Sequence, residues 1–283
     1  MTDASPLVSP EWLDAHIDDP RVVVIDASWF LPGAERDPRT EFTQGHIPGA
    51  VFFGIDEICD RSSHLPHMLS APADFAVAAR RLGVSRDSII VVYDCQGLFS
   101  APRVWWNFRV MGHAPVYVLD GGLPRWIAQG RAIETGWSRP ARGDFKANPN
   151  WTLVRDLDSV ACELAAGSAQ ILDARPATRF AGAAPEPRPS VRAGHMPGAR
   201  NLPWSDVLTT QGDLESPERI KSMLLNSGVD LAAPVTATCG SGISAAVLAL
   251  ALARAGRWDA AVYDGSWTEW GGRDDTPVVM GAA

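Results

Sequence analysis

The chain has 283 residues, 46% apolar and 20% charged, with a formal net charge of −8. These proportions exclude a disordered or fibrous protein, and the length fits two domains of about 130 to 150 residues. The acidic balance argues against a nucleic-acid partner, which would need clustered Lys and Arg, so any anionic substrate requires a local basic pocket.

Residues 1–10 show no basic segment followed by an apolar core, so no secretory signal is read there. No apolar run approaches the roughly 20 residues that cross a bilayer. The expectation is a cytoplasmic protein with no membrane partner. Cys59, Cys95, Cys162 and Cys239 lie far apart. That spacing does not suit zinc, so no metal is expected and the cysteines are read as free thiols. No G-x-x-x-x-G-K-[ST] nucleotide loop is present and no cofactor is expected.

Along the chain, the run 23–27 (Val-Val-Ile-Asp-Ala) reads as a strand and is followed by Gly-His-Ile-Pro-Gly-Ala at 45–50. The run 89–93 predicts a second strand, residues 101–111 a helix and 116–119 another strand. Residues 136–150, with Pro140, Gly143 and Pro149 among polar and basic neighbours, read as a linker. The pattern then recurs: 170–174 repeats the first strand with Asp173 in place of Asp26, 194–199 repeats the Gly-His-x-Pro-Gly-Ala turn, and Asp264-Gly265 repeats Asp120-Gly121. Asp26 to Asp173, His46 to His195 and Asp120 to Asp264 are shifts of 147, 149 and 144 residues, which mark a duplicated domain rather than a solenoid. Strands alternating with helices predict an α/β fold in each copy, a mostly parallel sheet flanked by helices. The expected boundaries are 1–138, a linker at 139–153, and 154–283.

The copies differ where chemistry would sit. Cys95-Gln96-Gly97-Leu98-Phe99-Ser100-Ala101 aligns with Cys239-Gly240-Ser241-Gly242-Ile243-Ser244-Ala245. The glycines of the second loop let the backbone curl and turn several N–H groups toward one point, and the helix at about 244–255 presents its positive end there. Such a setting lowers a thiol from its usual pKa of about 8.5 and makes a nucleophile of Cys239. The same glycines also suit a tight strand-to-helix turn with Cys239 as buried filler. In the first loop, Gln96, Leu98 and Phe99 suit packing better than an anion cradle, so Cys95 is expected to be dispensable.

The second loop resembles the active-site loop of 3-mercaptopyruvate sulfurtransferases in the two-domain rhodanese family. The Gly-His-Ile-Pro-Gly-Ala turn, the segment Ser100-Ala101-Pro102-Arg103-Val104-Trp105-Trp106 and Tyr263-Asp264-Gly265-Ser266-Trp267 extend the resemblance over nearly the whole chain. It implies two rhodanese-like domains, a non-catalytic first and a catalytic second, with Cys239 carrying sulfur as a persulfide.

On that resemblance Arg179 and Arg188 hold the donor's carboxylate and carbonyl, which planar guanidinium groups do well; without it they read as solvated surface arginines. Gly240, Gly242, Ile243 and Ser244 complete the donor site. His46 and Ser241 are candidates for proton handling with Cys239, and Asp37 is an acidic candidate upstream. His195 and Arg103 read as structural. The implied activity moves sulfur from 3-mercaptopyruvate to a thiol acceptor, such as a thioredoxin or small thiol, or to cyanide, releasing pyruvate. Thiosulfate is the alternative donor, but basic residues do not follow Cys239. A persulfide carrier loaded by another enzyme is a further alternative. A cysteine phosphatase is disfavoured because no arginine lies in the loop.

Overall fold

The computed structural model describes residues 5–282. Residues 1–4, with which the first expected domain and the 1–10 stretch begin, and residue 283 lie outside it. The chain divides into two compact units: the first runs up to residue 61 and includes 69–150 and 210–214; the second comprises 62–68, 151–209 and the chain from 215 onward.

The first unit contains β1 (Leu7–Val8), α1 (Pro10–His16), β2 (Val22–Asp26), α2 (Pro38–Gln44), β3 (Val51–Phe52), α3 (Pro72–Arg81), β4 (Ile89–Tyr93), α4 (Ala101–Val110), β5 (Val116–Leu119) and α5 (Gly122–Ala128). The second contains β6 (Val154–Arg155), α6 (Leu157–Ala166), β7 (Gln170–Asp173), α7 (Ala177–Phe180), β8 (Arg200–Asn201), α8 (Pro217–Asn226), β9 (Val235–Thr238), α9 (Ala245–Arg254), β10 (Ala261–Tyr263) and α10 (Ser266–Trp270). Each unit has a five-stranded sheet, ordered β1-β5-β4-β2-β3 and β6-β10-β9-β7-β8. Every pairing is parallel. The α/β duplication read from the sequence is therefore present in full, with the same strand order twice.

The local causes are ordinary. β4, Ile-Ile-Val-Val-Tyr, is buried along almost its whole length, as a central parallel strand covered on both faces should be. α9, Ala-Ala-Val-Leu-Ala-Leu-Ala-Leu-Ala-Arg, is buried from Ala245 to Ala253, because it has no polar face to offer water. It packs on β9, β10 and α8, so the loop entering it is fixed at one end by the core.

Two features were not visible in the sequence. The segment 139–153 contains the unit boundary, but residues 143–150 are not a loose linker. The N–H groups of Gly143, Phe145 and Asn148 donate to the carbonyls of Arg80, Val84 and Met111 at 2.9, 3.1 and 2.9 Å. Phe145 is buried against Phe75 and Phe108, and that single apolar anchor leaves no periodicity to read. In addition, residues 62–68 and 210–214 belong to the opposite unit from their flanking sequence. In the second of these, Leu214 N–H donates to Asp120 at 3.0 Å.

The duplicated strands end on matched acids in different surroundings. Asp173 is held by the Arg175 guanidinium at 2.7 to 3.1 Å. Ser28 stands two residues after Asp26, and its N–H donates to that carboxylate at 2.8 Å. Burial pushes the Asp26 carboxyl up to about 6 from 3.8. The folded state therefore holds the proton to higher pH than the unfolded chain, and the associated stability, complete below about pH 4, is lost as pH rises through 6. Asp26→Asn should be more stable than wild type at pH 7, by up to about 3 kcal/mol at 1.36 kcal/mol per pH unit, with the gap closing near pH 4. Chemical unfolding at both pH values measures this, and a gap independent of pH would refute the cause.

Candidate active site

Cys239 leaves the end of β9 and is 2% exposed. Its loop is pinned from the opposite side by the start of α10. Cys239 N–H donates to Ser266 Oγ at 3.2 Å, and the Ser266 hydroxyl donates in turn to the Tyr263 carbonyl at 2.8 Å. Trp267 N–H donates to the Cys239 carbonyl at 2.9 Å and Thr268 N–H to the Gly240 carbonyl at 2.8 Å. The loop then turns back on itself, so that Gly242 N–H points at Cys239 Sγ from 3.2 Å. Gly242 has φ +81°, a conformation that other residues adopt only with strain. Ser241 and Ile243 are buried in the same turn, and Ser244 stands just before α9 with no side-chain hydrogen bond to the helix end.

Arg179, at the end of α7, reaches the same loop. A Cβ on Gly240 would stand 3.2 Å from its Nη2, so the glycine leaves room for the guanidinium. Arg179 Nη2 donates to Glu186, while its buried Nε–H has no hydrogen-bond partner among the described residues. A buried donor left unmade is costly and points to a ligand. Glu186 also accepts from Arg175 Nη1 at 2.8 Å, and Arg175 lies over the Trp267 ring at 4.3 Å. Arg188 Nη2 lies 3.5 Å from His67 Nε2. His67 is 7% exposed and adopts φ +61°. The sequence reading missed His67, and no strand, helix or repeat frames it. The one available signal was the histidine in Pro66-His67-Met68, which has no counterpart in the other copy.

The two histidines of the repeated turn are alike. His46 Nδ1 donates to the Phe42 carbonyl at 2.8 Å and stacks on Phe42 at 4.0 Å; His195 does the same with Phe180 at 2.9 and 3.7 Å. Asp37 caps α2. Its carboxylate accepts from Arg39 and Thr40 N–H, each at 3.2 Å, and from the Thr40 hydroxyl at 2.5 Å, which holds it below the usual aspartate range. Among the described residues no cluster of three or more His, Cys, Asp or Glu has a geometry for metal.

A family model described as a rhodanese-like domain matches residues 9–129 and 156–273. The 3-mercaptopyruvate sulfurtransferase of Escherichia coli K12 is 44% identical over 96% of both chains. The crystal structure of SseA from Escherichia coli, described as showing the rhodanese fold of 3-mercaptopyruvate sulfotransferases, aligns with a TM-score of 0.86 at 42% identity, covering 93% of this chain and 99% of its own. The chain belongs to the rhodanese family. Another relative, thiosulfate sulfurtransferase of Gallus gallus, is 44% identical over 93% of this chain and 92% of its own, so overall identity does not choose between the two donors.

Within this rhodanese pair the first loop is occupied by its own side chain. Asp94 accepts N–H bonds from Gln96, Phe99, Ser100 and Ala101 at 2.8 to 2.9 Å. Thr238 stands at the matching place in the second loop, and its buried hydroxyl has no hydrogen-bond partner among the described residues. Glu41, the residue before Phe42, likewise matches Arg179, the residue before Phe180, and it lies 3.7 Å from Cys95 Sγ. Burial pushes the Cys95 thiol up to about 12, with Asp94, Asp26 and Glu41 adding to the shift. A thiol so raised holds almost no nucleophilic thiolate at neutral pH. Cys95→Ala should retain sulfur-transfer kcat/KM within about twofold of wild type. Complete loss in a folded variant would reverse the assignment of Cys239.

Proposed function

We infer that this chain is a sulfurtransferase that takes sulfur from 3-mercaptopyruvate onto Cys239 as a persulfide and passes it to a thiol, releasing pyruvate. The observation that carries this reading is a buried cysteine, with an amide on its sulfur, in a loop that also touches an arginine having an open N–H. That pairing suits a donor with a carboxylate at one end and a transferable sulfur at the other.

In the proposed course, Arg179 and Arg188 hold the donor's carboxylate and carbonyl. The Cys239 thiolate attacks the donor's sulfur, the S–S bond forms and the C–S bond breaks. The electron pair of the broken bond goes into the pyruvate enolate, which takes a proton and leaves as pyruvate. The persulfide S–H supplies that proton, and the charge then left on the persulfide is met by the Gly242 N–H, which points at Cys239 Sγ from 3.2 Å, within the loop of Gly240, Ile243 and Ser244. An acceptor thiolate, from a thioredoxin or a small thiol, then attacks the outer sulfur and restores Cys239, giving ping-pong kinetics.

The proton is assigned to His67 with Ser241 rather than to His46. His67 belongs to the same unit as Cys239 and lies beside Arg188, whereas the stacked His46 ring donates from Nδ1 to Phe42 and turns its Nε2 toward Glu134 at 3.9 Å. Asp37 is assigned the capping of α2 alone. Four free cysteines accord with a reducing compartment, and we place the enzyme in the cytoplasm. No helix among the described residues is long and apolar enough to cross a membrane.

Intact mass after adding 3-mercaptopyruvate should rise by one sulfur atom in the wild type, reverse with a thiol, and stay unchanged in Cys239→Ser. Full turnover by that variant would sink the mechanism. Replacing Arg179 or Arg188 by Leu should lower kcat/KM for 3-mercaptopyruvate about 10- to 100-fold, as expected for a lost charge-assisted hydrogen bond of about 1.5 to 3 kcal/mol. Thiosulfate loading the wild type faster than 3-mercaptopyruvate would overturn the choice of donor and leave the nucleophile standing.

A further inference from the structure

Glu186 lies in an irregular loop, yet its side chain is 4% exposed. A carboxylate so buried is tolerated only when paired, and this one is paired twice, to Arg175 Nη1 at 2.8 Å and to Arg179 Nη2. Arg175, 1% exposed, is itself immobilised by Asp173, by the Gly194 carbonyl at 2.9 Å and by the face of Trp267. Asp173, Arg175, Glu186 and Arg179 thus form one run of alternating charge whose sum is zero, anchored in the sheet at Asp173 and ending at the loop after Cys239.

We propose that Glu186 is the specificity-determining residue of the donor pocket: it aims Arg179 at the Cys239 loop and cancels its charge, so the pocket favours a monoanionic mercaptan over the dianion thiosulfate. The proposal rests on the sulfur-transfer reading above and adds the cause of donor choice. Two separable effects are involved. Held by Glu186, the long Arg179 side chain presents its open Nε–H in one orientation, which a planar carboxylate needs and a tetrahedral dianion does not. Cancelling a positive charge in a partly buried pocket weakens attraction for a dianion twice as much as for a monoanion, because Coulomb energy scales with the ligand's charge. The first unit carries the same ion pair reversed: Arg36 pairs with Glu41 at 2.6 Å beside Cys95. There both partners lie 3.7 Å from Cys95 Sγ, so a carboxylate stands directly beside the thiol, where in the second unit Glu186 is held back behind Arg179.

The test is kcat/KM for 3-mercaptopyruvate and for thiosulfate with the full-length wild type, Glu186→Gln and Glu186→Asp, at low and high ionic strength, with circular dichroism confirming the fold. In Glu186→Gln the ratio of 3-mercaptopyruvate to thiosulfate efficiency should fall at least about tenfold, through a higher KM for 3-mercaptopyruvate and a salt-sensitive gain with thiosulfate. Glu186→Asp keeps the charge and shortens the reach, so it should raise the KM for 3-mercaptopyruvate with no gain for thiosulfate. An unchanged ratio in the Gln variant, or an equal fall for both donors, overturns the proposal. If the Gln variant fails to fold, an unchanged KM in the Asp variant overturns it as well, and a raised KM without thiosulfate gain supports it. A wild type that prefers thiosulfate would sink the choice of donor, while the ratio between variant and wild type would still report on Glu186.

Discussion

The shape of the Cys239 loop depends on the grip of α10 on the chain after β9. Ser266, Trp267 and Thr268 hold three backbone groups of Cys239 and Gly240. Each such bond contributes only about 1 kcal/mol to net stability, so their strength alone does not explain the rigidity. What matters is that they are buried beside Trp267, which is fully enclosed and donates its indole N–H to the Arg192 carbonyl at 2.8 Å. Opening the loop would leave buried amides and carbonyls without partners, and that cost keeps the Gly242 N–H aimed at the sulfur. The left-handed Ser266, φ +51°, is strain kept where a hydroxyl must reach back to the Cys239 amide.

With one strand-loop-helix arrangement present twice, the two cysteine loops differ in their turn, left-handed at Gly97 in one and at Gly242 in the other, and in their electrostatics. Both cysteines follow the end of a central strand and precede a buried helix. Asp94 against Thr238 determines whether the loop amides are satisfied from within. Glu41, paired with Arg36, puts a carboxylate 3.7 Å from the first thiol, where the matching Arg179 brings a guanidinium to the second loop. In the first unit Asp94, Glu41 and the buried Asp26 all act in the same direction on Cys95, and the fold need not change for the site to be silent. A few side chains suffice to raise the Cys95 thiol because burial amplifies every neighbouring charge.

The fold was legible because its signals are local and repeated. Alternating β-branched runs and helical patterns, at shifts of about 144 to 149 residues, place β2, β4, β5, β7, α4 and α9; the expected helix 101–111 ends one residue earlier in the structure, as α4. The loop of Cys239 was legible for the same reason, since glycine spacing is a local property. The partners of Arg179 and Arg188 were not. Glu186 reads as one more acid among prolines, and only the fold shows it buried between two arginines. His67 sits in a segment that packs with the second unit although the chain on either side belongs to the first, and no residue pattern announces such an exchange. His46 illustrates the opposite difficulty: a residue prominent in the sequence because it recurs, whose ring is packed on Phe42 in the way that His195 is packed on Phe180.

That contrast has a physical basis. Each repeated histidine pairs by its backbone with a returning segment, His46 with Glu134 and His195 with Val279. A tryptophan indole fixes each segment, Trp126 to the Ala132 carbonyl at 2.7 Å and Trp270 to the Pro277 carbonyl at 2.9 Å. In the second unit the same strap continues to Ala181, whose carbonyl accepts from Gly281, and so supports the loop that carries Arg179 through Arg188. Residues shared by the two copies are those any sheet of this order needs to tie its irregular loops down. Residues that differ sit at the ends of elements, Thr238 in β9 and Arg179 in α7, or on the loop so restrained, Glu186 and Arg188, where a change of charge leaves the packing intact. In a chain built by duplication, a motif common to both halves is therefore evidence of architecture first. Chemistry is better sought where two superimposable positions carry opposite charges.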